Sequence, residues 1–226
     1  MHKLDLQRNT QETHTMLTKT SNNFIRRFLL AMGAFAIAIS LPAIAQAHIG
    51  HDIGHGEAIG FMHGLEHPIS GLDHILAMVA VGLWAAQLGG HAVWSVPLTF
   101  VGAMALGGVL GINGLTIPFV EQGIIASDLL LGGLVLMATR LPLVASISIV
   151  GLFAIFHGYA HGAEMPKEAI ALQYAAGFMM ATAALHLSGV GVAMLMNKLF
   201  QDRLVRLAGG GIILGGVYVL ISSFYS

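Results

Sequence analysis

The stretch FMHGLEHPISGLDHILAMVAVGLWAA, Phe61 to Ala86, decides how this chain is read. Its first half sets His63, Glu66 and His67 among glycines, and after Asp73-His74 it runs apolar to Ala86. About 20 consecutive apolar residues are what a helix needs to cross a bilayer. A charged side chain placed inside such a run costs on the order of 2.5–3.5 kcal/mol, so it faces a polar interior or a partner. The Asp73-His74 pair is therefore either a structural pairing or the start of a functional site.

Composition extends the membrane reading to the whole chain. Of 226 residues, 56% are hydrophobic and only 9% are charged, against roughly 25% charged in soluble domains. Six apolar segments are predicted at 70–88, 93–112, 119–139, 141–160, 168–188 and 205–224. Backbone groups in lipid must bond within their own segment, so each is expected to be a helix. The predicted fold is all-α: a polytopic membrane protein with a six-transmembrane-helix bundle. Glycine doublets and triplets (Gly107-Gly108, Gly132-Gly133, Gly209 to Gly211, Gly215-Gly216) suit close helix packing.

A leader is expected before the bundle. Arg26-Arg27 precede an apolar run from Phe28 to Leu41, then Pro42 and Ala45-Gln46-Ala47 supply a break and a small-x-small cleavage site. Residues 1–47 are read as a cleavable signal peptide, 48–66 as an extracytoplasmic His-rich segment, and 67–226 as the helical domain. An uncleaved first helix is the alternative, and Met16 is a possible start. Beyond the leader, Arg140, Lys198, Arg203 and Arg206 fall in loops of one side and Lys167 on the other. The positive-inside rule places the first group in the cytoplasm. Both ends of the mature chain then lie outside.

The charge pattern and residue types exclude several functions. Net charge is −1 with no basic run, which argues against nucleic acid, and no nucleotide-binding loop is present. The chain has no cysteine, so disulfides and thiolate chemistry are absent. Histidine is abundant instead: 12 residues, against 10 Lys and Arg together.

The ionisable residues concentrate at the expected outer helix ends. Pro68 suits the first turn of a helix with His67 as its cap, which would set Asp73 and His74 one and a half to two turns inside. On one ideal helix His67 and His74 share a face but stand about 10 Å apart. They can hold one ion together only if the helix entrance unwinds. In FHGYAHGAE, Phe156 to Glu164, His157 and His161 lie one turn apart with Glu164 in phase, a spacing that suits two imidazoles on one metal. Glu121 and Asp128 are seven apart on one stripe of the third segment, and read equally as a third contribution to a metal pathway or as a helix cap and a hydrogen-bonded, protonated carboxyl. His186 reads as an interhelical hydrogen-bonding residue or an inner station, and His91 as a solvated loop residue. His48, His51, His55 and His63 suggest weak ion capture or a tolerant polar tail.

Imidazole and carboxylate without thiolate favour borderline divalent ions such as Ni²⁺, Co²⁺ and Zn²⁺. The scattered methionines, Met78 and Met104 among them, read as core filling. Polar groups spread over several helices suit passage of an ion, which must be bound and then released. The metal is cargo on this reading, with no resident cofactor and no catalysis expected. A zinc-dependent intramembrane hydrolase using Ser70, Asp73, His74, His157, His161 and Glu164 is the competing class. A passive metal sensor or accessory subunit is the third.

Two motifs carry a family resemblance. His67-Pro68-x-x-Gly71-x-Asp73-His74, continuing through Met78 to Gly82-Leu83-Trp84-Ala85, and FHGYAHGAE resemble the signatures of the HupE/UreJ family. The resemblance covers the whole chain and implies a bacterial inner-membrane permease for nickel, or in some members cobalt, serving hydrogenase or urease maturation. It implies a metal-pathway role for His67, Asp73, His74, His157, His161 and Glu164. Glu121 is similar to an acidic position of the family's third helix. The long leader and the His-rich mature terminus depart from the pattern.

Overall fold

Hydropathy and glycine spacing resolve into seven helices in the computed structural model, which describes residues 55–166, 169–200 and 202–225. They are α1 His55–Ser70, α2 Leu72–Leu88, α3 Ala92–Ile112, α4 Val120–Met137, α5 Leu143–Ala163, α6 Ala171–Phe200 and α7 Arg203–Ser222. The described residues contain no strand. The expected leader, His48 and His51 lie outside the described residues, as does the side chain of His55.

Helices α3 to α7 each contain an apolar stretch of 18 to 28 residues, long enough to cross a bilayer. The remaining crossing is a bent pair: Gly60–Ser70 and Leu72–Leu88 meet at 80°. The chain is a multi-pass membrane protein, with boundaries within a few residues of those expected for its apolar segments except at the end of α6, which runs on to Phe200 rather than stopping at 188.

The bend corrects the expected start of the first crossing. His67 and Pro68 do not open a helix; they lie in the last turn of α1. Gly71, with φ −92° and ψ 124°, is the extended residue that caps α2. Asp73 therefore sits in the first turn of α2, not one and a half turns inside. The physical reason is tertiary. Helix α1 is glycine-rich and weak in propensity, but it lies along α6, where Gly64 meets the backbone of Tyr174 and Gly177 meets the carbonyl of Phe61. That packing extends the helix through Pro68, and the chain must then turn before α2.

Helix α2 is the central element and packs against α1, α3, α4, α6 and α7. Ala77, Met78, Ala80, Val81 and Trp84 on it are completely buried, as expected of a helix that is apolar all round. Around it the closest pairs are α3 with α5, α4 with α7, and α6 with both α1 and α2. Lipid tails supply no hydrophobic drive between helices, so close backbone approach has to supply the packing. A Cβ on Gly158 of α5 would collide with the Met104 carbonyl of α3, and one on Gly82 of α2 with the His186 carbonyl of α6. Outward-facing Leu98, Val144, Leu172 and Leu214 leave the apolar exterior that lipid contact requires. At the end of the bundle away from His67, carbonyls in the last turn of α4 and just past it accept hydrogen bonds from neighbouring helices. Trp84 Nε1 donates to Thr139 O at 2.9 Å, Gln87 Nε2 to Val135 O at 3.0 Å, and Arg206 Nε to Leu136 O at 2.8 Å.

Candidate metal pathway

The 80° bend gathers the first motif onto the second. His67, at the end of α1, and His74, in the first turn of α2, both pack against the ring of His161 near the end of α5, with centroids 4.6 and 4.2 Å away. The helix entrance does unwind, and the ~10 Å separation of a straight helix is lost. His74 also meets His157 at 4.9 Å, edge to face. Beyond His157 lies Phe100 of α3 at 5.7 Å, and the same phenyl ring meets His186 of α6 at 5.0 Å. The rings form a file running from the bundle end into its interior: His67, His161, His74, His157, Phe100, His186.

Hydrogen bonds orient this file only in part. His67 Nε2 lies 3.2 Å from Glu164 Oε2, and His74 Nδ1 lies 2.9 Å from Asp73 Oδ1. Ser127 Oγ on α4 donates to Ile124 O at 2.6 Å and contacts His157 Nε2 at 2.9 Å. By contrast, His74 Nε2, His157 Nδ1, both nitrogens of His161 and both of His186 are buried and make no hydrogen bond within the protein. Each such group costs about 1–3 kcal/mol of desolvation. So many in one file, where the great majority of buried polar atoms are normally paired, is the signature of groups kept for another partner.

Local sequence explains the placement. Gly71 has no Cβ, and one built there would come within 2.8 Å of Asp73 Oδ1 and 3.0 Å of His74 Nδ1. The carboxylate and ring fold back over the glycine backbone. Asp73, in the first turn of α2, also meets the positive end of that helix. At the mouth, His67, His161 and Glu164 each place one ligand atom within 4.8 Å of the other two.

Glu164 follows α5 and is exposed. Its hydrogen bond with His67 holds its carboxyl below the ordinary value of 4.5, outweighing partial burial. A lowered folded-state pKa means that the carboxylate's contribution persists above 4.5 and is lost only as pH falls below it. Glu164→Gln should therefore lower metal affinity at pH 7 and above, where the carboxylate is fully ionised. Unchanged affinity there, measured by titration of the protein with Ni²⁺, would contradict this assignment.

Other expected residues lie elsewhere. Glu121 is exposed in the first turn of α4 and makes no hydrogen bond or ion pair with the histidines. Asp128, on the same stripe, is wholly buried, and neither of its oxygens is hydrogen-bonded. His63 is exposed on α1, and His91 is exposed at the start of α3. His186 makes no interhelical hydrogen bond and sits on the inner side of Phe100. Ser127 and Phe100 carried no signal in the sequence, since a serine or a phenylalanine in an apolar helix is ordinary.

Residues 36–219 match the family model described as HupE / UreJ protein. The chain belongs to the HupE/UreJ family. The matched span holds both histidine motifs and α1 to α6 entire. Over 184 residues the chain is 47% identical to Protein HupE of Rhizobium leguminosarum bv. viciae, covering 81% of this chain and 94% of that protein. No solved structure matches the chain.

Proposed function

We propose that this HupE/UreJ member is a permease that admits Ni²⁺, or Co²⁺, across the bacterial cytoplasmic membrane and so supplies hydrogenase or urease maturation. The observation that carries the proposal is the file of imidazoles with free nitrogens, which runs from the exposed Glu164 to the fully buried His186. Neutral imidazole with carboxylate at the mouth suits nickel, cobalt and zinc and disfavours alkali ions. Ligands distributed along a path, rather than closed into one cage, suit binding followed by release.

Arg140, Lys198, Arg203 and Arg206 orient the bundle with the His67 end outside. Inward movement of two charges then gains about 4.6 kcal/mol per 100 mV, twice the single-charge value. His67, Asp73, His74, His157, His161 and Glu164 form the metal pathway, His186 extends it inward, and the lipid bilayer is the protein's surroundings. A zinc-dependent hydrolase would require one compact metal site with a coordination position open to water, whereas the free imidazole nitrogens are spread along a file. Ser70, its candidate hydroxyl, is exposed and donates to His67 O at 2.7 Å, which favours transport over hydrolysis.

Cells expressing the protein should accumulate radiolabelled Ni²⁺ faster than cells without it, and collapsing the membrane potential should remove most of the difference. Equal accumulation with and without a normally inserted protein would overturn the proposal.

A further inference from the structure

Resting on the transport reading above, we propose that Asp73 and Ser127 are orienting groups rather than ligands. They fix His74 Nε2 and His157 Nδ1 as the donor atoms of an inner, two-imidazole station for the divalent cation. The mouth formed by His67, His161 and Glu164 is a separate station above it.

The assignment follows from counting protons. A serine hydroxyl has one, and that of Ser127 is directed to the Ile124 carbonyl at 2.6 Å. The 2.9 Å contact between Ser127 Oγ and His157 Nε2 must then be made by an N–H of the ring. His157 therefore carries its proton on Nε2, and its lone pair sits on Nδ1, which is buried and makes no hydrogen bond. The same reasoning applies to His74. An ionised carboxylate only accepts, so Asp73 Oδ1, 2.9 Å from His74 Nδ1, accepts a hydrogen bond from Nδ1–H, and the proton stays on Nδ1. The His74 lone pair is left on Nε2, also buried and without a hydrogen bond.

Each ring thus presents one lone pair, with an acceptor behind it to fix ring angle and tautomer. This is how metal-ligating histidines are generally held. The two rings stand 4.9 Å apart at 88°, and His74 also touches His161 of the upper station at 4.2 Å. His74 is therefore the group that can receive the cation from the mouth and share it with His157. An orienting Asp73 leaves the inner station with neutral ligands only, so the cation is held more weakly there than beside Glu164. That difference favours onward release.

The test uses full-length protein in lipid nanodiscs with Co²⁺ and Ni²⁺ as probes. Affinity is measured by titration, and the His157 tautomer by ¹⁵N NMR of histidine-labelled protein, assigned with His157→Gln. Ser127→Ala should weaken the inner station 10–100-fold, the usual effect of losing an orienting partner. It should also replace the single Nε2–H signal of His157 with a tautomer mixture. Ser127→Thr, which keeps the hydroxyl, should retain both properties. Asp73→Asn, whose amide oxygen still accepts from His74 Nδ1, should bind better than Asp73→Ala. An unchanged affinity and unchanged His157 spectrum in Ser127→Ala would overturn the assignment, as would Asp73→Asn binding no better than Asp73→Ala. Either of those results alongside normal uptake would leave transport standing without this station. Binding changes as expected, with no uptake by the wild-type protein, would leave the station standing and retire transport.

Discussion

Replacing His161 with alanine is expected to reduce Ni²⁺ uptake to the level of cells lacking the protein. His161 occupies the junction of the proposed pathway: its ring meets both His67 and His74, and one of its nitrogens lies within 4.8 Å of a His67 nitrogen and a Glu164 carboxylate oxygen. Its two nitrogens make no hydrogen bond within the protein, so no internal polar network is broken when the ring is removed. The loss should therefore appear in transport rather than in assembly. It should exceed the roughly 10–100-fold effect of losing an orienting partner, because a ligand shared by successive steps is gone. His91→Ala provides the comparison, being exposed at the start of α3, beyond the opposite end of α2 from His74. The measurement is initial uptake of labelled Ni²⁺ normalised to membrane-inserted protein. Uptake by His161→Ala within about twofold of wild type, a difference of under ~0.5 kcal/mol, would remove His161 from the pathway.

Gly158→Ala is expected to have the largest effect on assembly. A methyl group there would be driven into the Met104 carbonyl, and the neighbouring Gly162 makes a similar approach to the Gly108 carbonyl. The atoms met are backbone, so no side chain can rotate away, and α3 and α5 must separate. Overpacking of this kind costs about 1–3 kcal/mol when neighbours can relax, and more when they cannot. Separation would also displace His157, the residue before Gly158, from Ser127 and His74. The check is the thermal unfolding midpoint in detergent together with the monodisperse fraction. Gly133→Ala, where a Cβ would meet nothing within 4 Å, should leave both unchanged. Equal behaviour of the two variants would show that the α3–α5 approach is not essential to the bundle.

The crossings were legible because bilayer thickness sets their length and backbone hydrogen bonding in lipid restricts their conformation. Hydropathy alone therefore located α3 to α7 to within a few residues at most ends. The start of the first crossing was not legible. Pro68 carries the signature of a helix opening, yet it ends α1, whose helicity depends on packing against α6. That contact lies far along the chain and leaves no local trace.

The candidate site divides in the same way. The sequence by itself determined which groups a site could draw on: a cysteine-free, histidine-rich membrane chain with two motifs offers imidazole and carboxylate, the set that suits a borderline divalent ion. Within one helix it also determined which residues share a face, because the α-helical period is fixed. Only the tertiary structure decided which faces meet. It paired His67 with Glu164 across 97 positions and Ser127 with His157 across 30. It left Glu121 at the surface and buried Asp128 on the same stripe. It also placed Phe100 between the last two histidines of the file. Periodicity orients a side chain about its own helix axis, but the neighbour it finds is set by how closely backbones approach, and here glycines at the contacts set that approach.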